Sequence, residues 1–493
     1  MNPLNILVGS NVLVPSTAPN SCIMRLRANL TYQNPSYVKV KKLGMNSRYS
    51  KTVCFLKPCD YGWSIPRGAI PLVCSILEDE GVNYTITKMV TGGKSTISER
   101  IKEERVAAIY RSLRRYQKEC VKALVNGVQG HVILPCGSGK TYLAAAAALM
   151  VDEPTIVFVH TEDLMYQWKD TFTAMGVDQI GLIGGGNGSS FMPISKGQVY
   201  ICMIQTMERN LSADGCVEML NSAGCAILDE AHHCPAETFS KVIQLCPARY
   251  RWGLTATPDR SDGFTFLIPL IIGNSLYQID TTRLVEEGYL VVPKIIPVDT
   301  GIKIEFSSII NKKTGRADIV KATSLLSANF KRNRSIVQIC MRASDAGRKT
   351  LVIVPRVEQA KLISNMLKHM GCKSVAITSK AKRDQRKLVI EGFRSGKYDV
   401  LCATQLADEG LDLPILDTLV QASAGSAEGR AIQRVGRIMR VHKDKKKPVV
   451  FDLVDRGVFI KQWKSRYSAY VDRIGVTPAP KVPVASAMRY IRN

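Results

Sequence analysis

The sequence contains no apolar run long enough to cross a bilayer. The longest, Tyr142 to Val151, has about half of the roughly 20 residues that a membrane-spanning helix needs. The N-terminus also lacks the basic stretch and following apolar segment of an export signal. We therefore expect a soluble protein with no membrane partner, either cytoplasmic or associated with a nucleoid.

Metal-binding and disulfide patterns are also missing. None of the 14 cysteines is paired in a C-x-x-C spacing, and they are scattered along the chain. His232, His233 and Cys234 are adjacent, but no second ligand cluster accompanies them, so a zinc site is not expected. We expect most cysteines to be small buried residues in a reducing compartment.

Acidic residues are scarce relative to basic ones. The 67 Lys and Arg against 42 Asp and Glu give a net charge of +25. Residues 1–50 contain six basic residues and no acidic one, residues 301–350 contain eleven against three, and residues 441–493 contain twelve against four. Residues 201–290 reverse the balance, with six against eleven. A single basic run is usually a solvated surface, but several separate basic segments favour a nucleic-acid partner.

A chain of 493 residues predicts several domains. The first hundred residues mix strand-like runs, Val38 to Val40 and Thr52 to Leu56, with turn residues. Beyond them, short apolar runs alternate with helical stretches, which is the pattern of a parallel sheet covered by helices. The predicted fold class is α/β: an N-terminal accessory domain (1–105), a first parallel-sheet lobe (106–290), a connecting segment (291–335) and a second lobe (336–493).

Ten apolar runs are the predicted strands of the two lobes. Those of the first lobe are Ile133 to Leu134, Ile156 to Val159, Tyr200 to Ile204, Ala226 to Leu228 and Trp252 to Leu254. Those of the second lobe are Leu351 to Val354, Ser374 to Ile377, Val400 to Ala403, Thr418 to Gln421 and Val449 to Leu453.

A glycine-rich segment follows the first of these strands and opens an Ala-rich helix: Pro135-Cys136-Gly137-Ser138-Gly139-Lys140-Thr141. Its backbone N–H groups and the helix N-terminus can cradle phosphates. Lys140 would reach the β and γ phosphates of ATP, and Thr141 would bind Mg²⁺. The strict P-loop pattern has glycine where this chain has Leu134, and a glycine-rich turn alone is often only a turn.

A second segment supplies the acidic residues that a nucleotide site needs. The predicted strand Ala226 to Leu228 delivers Asp229-Glu230-Ala231-His232 at its carboxyl end. Asp229 can hold the Mg²⁺ that bridges the phosphates, while Glu230 can orient and deprotonate the attacking water. The alternative is an ordinary helix start, where acidic residues are favoured by the helix dipole.

The chain resembles the superfamily 2 helicases, because the P-loop variant and the Asp-Glu-Ala-His box are followed by further motifs in the family's order. The resemblance covers residues 106 to 455 and implies two RecA-like lobes that hydrolyse Mg-ATP in the cleft between them. It implies that Gln117, in Arg114-Arg115-Tyr116-Gln117, reads the adenine base. It also implies that Thr255 and Thr257, in Thr255-Ala256-Thr257-Pro258, couple hydrolysis to nucleic-acid binding.

Two further segments resemble the signature motifs of the second lobe. The first runs from Thr404 to Asp412, and the resemblance implies that Gly410 and Asp412 contact the nucleotide. The second is Gln433-Arg434-Val435-Gly436-Arg437-Ile438-Met439-Arg440. A guanidinium from the opposite lobe can neutralise charge on the γ phosphate in the transition state. Arg437 is the predicted arginine finger that supplies it. Gln433 and Arg440 are placed one helical turn on either side of it, on the same face.

Within the superfamily, the chain looks most like the group containing XPB, phage UvsW and the poxvirus transcript-release helicases. The resemblance implies DNA as the partner, single-stranded, duplex or branched, with RNA an open alternative. It places Gln167-Trp168, Gln205, Thr206 and Thr404 in motifs that touch the sugar-phosphate backbone, although such residues also cap strand ends. Tyr61, Trp63 and Arg67 are either a stacking contact or a local packing unit.

Three other functions remain open at this stage. The chain is also compatible with the motor subunit of a restriction or nuclease complex, although no appended nuclease cluster is visible. An RNA helicase is compatible too. The 2′-hydroxyl is the group that distinguishes RNA from DNA, and no residue of the sequence is identified as a contact to it. A non-catalytic nucleic-acid-binding module is opposed by the intact Lys140, Asp229, Glu230 and Arg437. Gly184 to Gly188 is interpreted as a surface loop, because no helix follows it as dinucleotide binding requires.

Overall fold

The computed structural model describes residues 3–42, 46, 48–94, 96–100, 102–188, 190–232, 241–256, 263–311, 315–378, 381, 383–404, 413–422 and 428–491. By its internal contacts the chain divides into two units, one formed by Met1–Leu134 with Gly139–Gln278, the other by Pro135–Ser138 with Ile279–Asn493. Among the helices of these described ranges, none is long and apolar enough to span a membrane.

The N-terminal part of the first unit is a small α/β region with a mixed sheet. Its strands are β1 (Leu4–Val8), β2 (Asn11–Pro15), β3 (Thr31–Gln33), β4 (Thr52–Cys54), β5 (Lys57–Cys59), β6 (Gly62–Pro66) and β7 (Tyr84–Lys88). Five of them form a sheet in the order β5-β6-β2-β1-β7, and β3 pairs with β4. The helices are α1 (Asn20–Asn29), α2 (Pro35–Lys42), α3 (Ile70–Asp79), α4 (Ile97–Arg100) and α5 (Glu104–Ser112).

One predicted strand of this region is wrong. Val38 to Val40 lies inside helix α2, not in a strand. Asn34 starts the helix, since its side-chain Oδ1 accepts from the Ser36 N–H at 3.0 Å, and Pro35 at the first helical position has no N–H to lose. The local cap therefore overrides the β preference of two valines. The run at Thr52 is a strand, as predicted, although β4 already ends at Cys54.

The N-terminal sheet and the first lobe share one continuous hydrophobic core. Arg67 lies at their junction with 4% exposure, and its two terminal nitrogens donate to the carbonyls of Ala248 and Arg249 at 2.6 and 2.7 Å. Gly68 follows, where an added Cβ would lie 2.1 Å from the Pro269 carbonyl oxygen. The two parts therefore meet backbone against backbone.

Arg251 reinforces the same junction from the lobe side. Its side chain is fully buried, and its guanidinium donates to four backbone carbonyls of the described residues, those of Ser10, Ile243, Cys246 and Ile271. The Ser10 carbonyl belongs to the turn between β1 and β2. Burial lowers the pKa of Arg251 to about 10, against the opposing influence of Cys246.

The first lobe is a parallel sheet covered by helices. Its described strands are β8 (Gln129–Ile133), β9 (Thr155–Val159), β10 (Ile180–Ile183), β11 (Val199–Met203), β12 (Cys225–Leu228), β13 (Tyr250–Thr255) and β14 (Ser275–Gln278). They are ordered β10-β11-β9-β12-β13-β8-β14. The helices are α6 (Arg115–Gly127), α7 (Lys140–Val151), α8 (Glu162–Ala174), α9 (Ile204–Arg209), α10 (Cys216–Ser222) and α11 (Leu267–Ile271).

The second unit repeats this architecture. Its described strands are β15 (Lys294–Ile304), β16 (Ile310–Asn311), β17 (Arg316–Ala317), β18 (Thr350–Val354), β19 (Ser374–Ile377), β20 (Val400–Thr404), β21 (Thr418–Gln421), β22 (Val449–Gly457) and β23 (Val482–Pro483). The parallel sheet has the order β19-β20-β18-β21-β22-β15-β23. The helices are α12 (Thr281–Glu286), α13 (Phe306–Ile309), α14 (Ile319–Ala328), α15 (Phe330–Asp345), α16 (Val357–His369), α17 (Arg383–Arg394), α18 (Glu428–Ile438), α19 (Ile460–Ala469) and α20 (Val484–Ala487).

The predicted fold class is confirmed. The central strands of both sheets are buried on both faces, which is why they read as unbroken apolar runs. The predictions for Ser374 to Ile377 and Thr418 to Gln421 match the strands residue for residue. Strands β10, β14 and β15 were not predicted, because their burial patterns are partial or mixed.

Candidate active site

The candidate residues of the first lobe follow neighbouring strands of one parallel sheet. Lys140 comes after β8, Asp229 after β12, and Thr255 ends β13, and these three strands lie side by side. Gln205 follows β11, further along the same edge. Because all carboxyl ends of a parallel sheet lie at one edge, residues distant in sequence meet there, and this is where open α/β sheets bind ligands.

The glycine-rich segment has the backbone of a phosphate-binding turn. Gly137 and Gly139 have φ of 85° and 78°, a region that favours glycine. The Ser138 N–H donates to the Pro135 carbonyl at 3.3 Å. Helix α7 begins directly afterwards at Lys140, whose Nζ lies 3.4 Å from the Leu134 carbonyl oxygen. Cys136 in the same turn is half-buried.

Gln117 lies beside this turn. Its Oε1 accepts from the Arg114 N–H at 2.9 Å and closes a capping box at the start of helix α6. A Cβ added to Gly139 would lie 2.9 Å from the Gln117 Nε2. The side chain is therefore fixed next to the glycine turn, as a residue that contacts a bound nucleotide would need to be.

Asp229 is buried and its two carboxylate oxygens are both held. Oδ1 accepts from the Glu230 N–H at 2.9 Å, and Oδ2 accepts from the indole N–H of Trp168 at 2.7 Å. Burial, followed by the neighbouring Glu230 charge, raises the pKa of Asp229 to about 6, while the Trp168 hydrogen bond and the charge of Lys140 act in the opposite direction. The site thus concentrates negative charge in a dry environment.

The residues present fit a magnesium ion. A buried carboxylate whose pKa is raised by a second carboxylate favours any positive charge that can neutralise it. Asp229 and the Thr141 hydroxyl offer the hard oxygen ligands that Mg²⁺ prefers, together with phosphate oxygens of a nucleotide. Asp229 and Thr141 would hold the ion.

Glu230 adopts an unusual backbone conformation and belongs to a short chain of contacts. Its φ is 45°, in the left-handed region that non-glycine residues rarely enter. Its Oε2 lies 3.4 Å from Nδ1 of His232, and the same nitrogen lies 2.8 Å from the Thr255 hydroxyl. Thr255 is fully buried at the end of β13. The predicted base and the predicted coupling residue are therefore linked through one imidazole.

This link could not be read from motif spacing, because His232 and Thr255 are 23 residues apart. The pairing of β12 with β13 brings them together: Leu228, at the end of β12, is in register with Gly253. The Ala231 N–H also donates to the Leu254 carbonyl at 2.9 Å. The contact between His232 and Thr255 could have been predicted only if the pairing of β12 with β13 were known.

Trp168 does not have the surface position that a nucleic-acid contact requires. Its side chain is fully buried and bonds to Asp229, so the prediction that it touches a sugar-phosphate backbone is wrong. The reason is the phase of helix α8, which turns Met165, Trp168 and Phe172 inward. Gln167 is half-buried, and its Nε2 lies 3.4 Å from the Thr141 hydroxyl.

The other candidate nucleic-acid contacts are at the ends of strands. The Gln205 Nε2 approaches the His160 carbonyl at 3.5 Å, whereas its Oε1 is buried and has no partner within the described parts of the chain. Thr206 lies against the turn at Gly184, where an added Cβ would come within 2.7 Å of its hydroxyl. Thr404 ends β20 in the second lobe with 5% exposure.

The second-lobe motif is only partly helical. Gln433 and Arg437 are one turn apart on helix α18, which ends at Ile438. Arg440 lies beyond this end, in an isolated antiparallel bridge with Leu290, so the prediction that it shares the helical face is wrong. The Arg440 carbonyl accepts from the Nζ of Lys445 at 2.8 Å. Burial lowers the pKa of Lys445 to about 8.

Several predicted residues lie outside the described ranges. They are Thr257 of the coupling motif, Gly410 and Asp412 of the first second-lobe motif, and His233 and Cys234.

The predicted aromatic and arginine group of the N-terminal region is divided by the structure. Arg67 is buried against backbone carbonyls, so it is not available for stacking on a base, and that part of the hypothesis is wrong. Tyr61 donates its hydroxyl to the Asn5 carbonyl. Trp63 is half-buried, and the guanidinium of Arg27 lies 5.2 Å from the centre of its ring.

Two protein families match parts of the chain. Residues 111–260 match the family described as type III restriction enzyme, res subunit, and residues 331–442 match the helicase conserved C-terminal domain. Putative helicase 22 of Sulfolobus islandicus filamentous virus is 30% identical over 71% of this chain and 66% of its own length. The DNA 3'-5' translocase XPB2 of Sulfurisphaera tokodaii is 28% identical over 70% of this chain and 82% of its own.

In fold, the chain is similar to S. cerevisiae Dbp5 bound to RNA and ADP BeF3. The TM-score is 0.54 at 15% identity, over 80% of this chain and 97% of that one. Each lobe has a seven-stranded parallel sheet covered by helices, which is a RecA-like fold. The chain belongs to the superfamily 2 helicases, in the group that contains XPB.

Proposed function

We propose that the chain is an ATP-dependent DNA helicase or translocase. It couples hydrolysis of Mg-ATP to movement on DNA or to remodelling of branched or forked DNA. The observation that carries this proposal is the convergence of Lys140, Asp229, Glu230 and Thr255 at one edge of the first sheet, with Asp229 buried between opposing charges.

Each residue of this edge has a role in hydrolysis. The N–H groups of Cys136, Gly137 and Gly139, in the turn that Pro135 opens and Ser138 closes, bind the phosphates together with the Lys140 ammonium. Thr141 and Asp229 would hold Mg²⁺, which when bound would supply positive charge near the phosphates. Glu230 orients a water molecule and accepts its proton as the water oxygen bonds to the γ phosphorus and the bond to ADP breaks. Gln117 contacts the base.

The second lobe contributes positive charge to the transition state. Arg437 is the proposed transition-state arginine, assisted by Arg440 and Gln433. Gly410 and Asp412 are proposed to contact the nucleotide. Arg437 and Gln433 are suited to act together because helix α18 places them on one face.

The contact between His232, Thr255 and Glu230 is the proposed route from DNA to hydrolysis. A displacement of Thr255 at the end of β13 would be passed by the His232 imidazole to the carboxylate of Glu230, which activates water. Thr257, two residues further on, is the proposed second coupling residue. Hydrolysis then responds to DNA without direct contact between DNA and Glu230.

DNA is the proposed partner because the chain carries a net charge of +25 and is related to proteins named as DNA 3'-5' helicases or translocases. Gln205, Thr206 and Thr404 are proposed to donate to the phosphodiester backbone, where neutral donors bind without reading sequence. Residues 1–105 are proposed as an accessory DNA-binding domain. Three of its basic side chains lie over aromatic rings, Arg27 over Trp63, Lys41 over Tyr37 and Arg48 over Tyr49.

The test is an ATPase assay on the full chain, titrated with single-stranded DNA, duplex, fork, four-way junction and RNA. We expect DNA to stimulate hydrolysis, most strongly when branched or forked. Arg437→Ala should bind ATP nearly as well as the wild type while turnover falls by about 10³ to 10⁵. Lys140→Ala should weaken nucleotide binding as well.

Two outcomes would favour other functions. Stimulation by RNA alone would indicate an RNA helicase. ATP-dependent movement with DNA cleavage only in the presence of added nuclease subunits would indicate a restriction motor, which the description of the first matched family favours as a second candidate. Wild-type turnover in Arg437→Ala would contradict the proposed catalytic roles.

A further inference from the structure

Helix α8 contacts both candidate ligands of the magnesium ion through two consecutive residues. The indole N–H of Trp168 donates to Oδ2 of Asp229 at 2.7 Å. The Nε2 of Gln167 lies 3.4 Å from the Thr141 hydroxyl. Asp229 and Thr141 are 88 positions apart in sequence, so one helix spans two separate parts of the site.

The Trp168 ring is enclosed by the core of the first lobe. Its side chain is fully buried, and it packs on Phe172 with ring centres 5.8 Å apart. With the Glu230 N–H bonded to Oδ1 and the indole bonded to Oδ2, the orientation of the Asp229 carboxylate is fixed at both oxygens. Each oxygen keeps a remaining lone pair for another ligand.

We propose that Trp168 is a positioning residue for the magnesium site: it fixes the orientation in which Asp229 presents its carboxylate to the ion, and Gln167 supports Thr141 from the same helix. This inference rests on the proposed function, in which Asp229 and Thr141 hold Mg²⁺. Partners of this kind, which hold a ligand and not the metal, typically change metal affinity or activity by about 10- to 100-fold when removed.

The test replaces Trp168 with phenylalanine, which retains a buried ring and removes the N–H donor. The readout is the dissociation constant of a fluorescent, non-hydrolysable ATP analogue, measured with EDTA and across a Mg²⁺ titration. We expect Trp168→Phe to leave the magnesium-free affinity unchanged and to raise the Mg²⁺ concentration that gives half-maximal enhancement by about 10- to 100-fold.

Trp252→Phe is the matched control. Trp252 is likewise fully buried in the first lobe, and its indole N–H donates to the Leu124 carbonyl at 3.1 Å, a backbone acceptor on helix α6. It therefore loses a comparable hydrogen bond and a comparable volume without touching a candidate ligand. We expect its magnesium titration to match the wild type.

A second variant and a double-mutant cycle make the test independent of core stability. Gln167→Leu changes a half-buried side chain and should raise the half-maximal Mg²⁺ concentration by a smaller factor, since its contact is longer. If Trp168 acts through Asp229, adding Trp168→Phe to an Asp229→Asn protein should produce no further change in the magnesium titration.

The results separate this inference from the function on which it rests. A Trp168→Phe protein with a wild-type magnesium titration, or one altered equally by Trp252→Phe, would overturn the positioning role. Additive effects of Trp168→Phe and Asp229→Asn would do the same. If the wild-type chain binds the ATP analogue with the same dissociation constant with and without Mg²⁺, the proposed magnesium site itself is contradicted.

Discussion

Replacing Asp229 with asparagine should make the protein more stable at neutral pH, although it removes a proposed magnesium ligand. Asp229 is ionised in a buried setting beside Glu230, which raises its pKa from 3.8 to about 6. The folded state therefore binds the proton more tightly than the unfolded state does. Asparagine is neutral like the protonated carboxyl group, so it should relieve the cost of ionisation, although its Nδ2 cannot accept one of the two hydrogen bonds that Asp229 accepts from Glu230 and Trp168.

The size and sign of the effect follow from these pKa values. Well below pH 3.8 the carboxyl group is protonated in both states, so ionisation costs the wild type nothing and only the lost hydrogen bond separates the two proteins. As the pH rises from 3.8 to about 6, the unfolded state ionises first and wild-type stability falls. Each pKa unit corresponds to about 1.4 kcal/mol, so between acidic pH and pH 7 the difference should shift by about 3 kcal/mol in favour of Asp229→Asn. This shift exceeds the roughly 1 kcal/mol of one lost hydrogen bond.

The measurement is urea-induced unfolding of both proteins at pH 4 and pH 8 without nucleotide or magnesium. A saturating Mg-ATP analogue is then added at pH 8. A ligand at 100 times its dissociation constant stabilises the folded state by about 2.7 kcal/mol, and Asp229→Asn should gain less than the wild type at the same ligand concentration. Equal stability of the two proteins at pH 8, or the same difference at pH 4 and pH 8, would refute the reasoning.

Three further predictions concern other parts of the molecule. Thr255→Val should keep basal ATP hydrolysis within a few-fold while stimulation by DNA falls by about tenfold, because it removes the hydroxyl bonded to His232. Gly68→Ala should lower the free energy of unfolding by about 3 kcal/mol, because its Cβ would lie 2.1 Å from a backbone oxygen. DNA affinity should decrease steeply with salt, by roughly 0.7 to 0.9 in log K per neutralised phosphate for each tenfold increase in salt, without preference for base sequence.

Each of these has a control. Thr255→Ser retains the hydroxyl and should respond to DNA like the wild type; failure of that variant would argue against the hydrogen bond as the coupling element. Gly81→Ala meets no atom within 4 Å but has φ of 66°, so it should cost only about 1 kcal/mol of backbone strain; an equal loss at both glycines would refute the steric argument. A shallow salt slope would argue against phosphate contacts.

The sequence was sufficient for the architecture because central parallel strands are buried on both faces. Such strands appear as continuous apolar runs, as in Leu351 to Val354, and can be predicted without knowing the partner strand. Strand β15 pairs with β22 but has exposed residues toward its end, so its composition resembles a linker. The strand prediction for Val38 to Val40 is wrong because a local cap at Asn34 starts a helix there.

Motif spacing predicts those parts of the site that one continuous segment forms. It does not predict contacts between segments that are distant in sequence. The glycine turn and the start of helix α7 are adjacent in sequence, so the phosphate cradle could be predicted. The hydrogen bond from Trp168 to Asp229 joins residues 61 apart, and the burial of Arg67 depends on carbonyls 181 and 182 residues away. Burial and hydrogen-bond partners of this kind follow from packing, which a single sequence does not display.

The junction formed by Arg67 and Arg251 has a consequence for evolutionary change. Both guanidinium groups bind backbone carbonyls, at Ala248 and Arg249 for the first and at Ser10, Ile243, Cys246 and Ile271 for the second. A carbonyl oxygen is supplied by every amino acid, so the recognised positions can vary in side chain while the attachment is retained. In saturation mutagenesis, the half-buried recognised positions Ser10 and Arg249 should therefore tolerate most substitutions, whereas the two arginines, Arg67 and Arg251, should tolerate almost none.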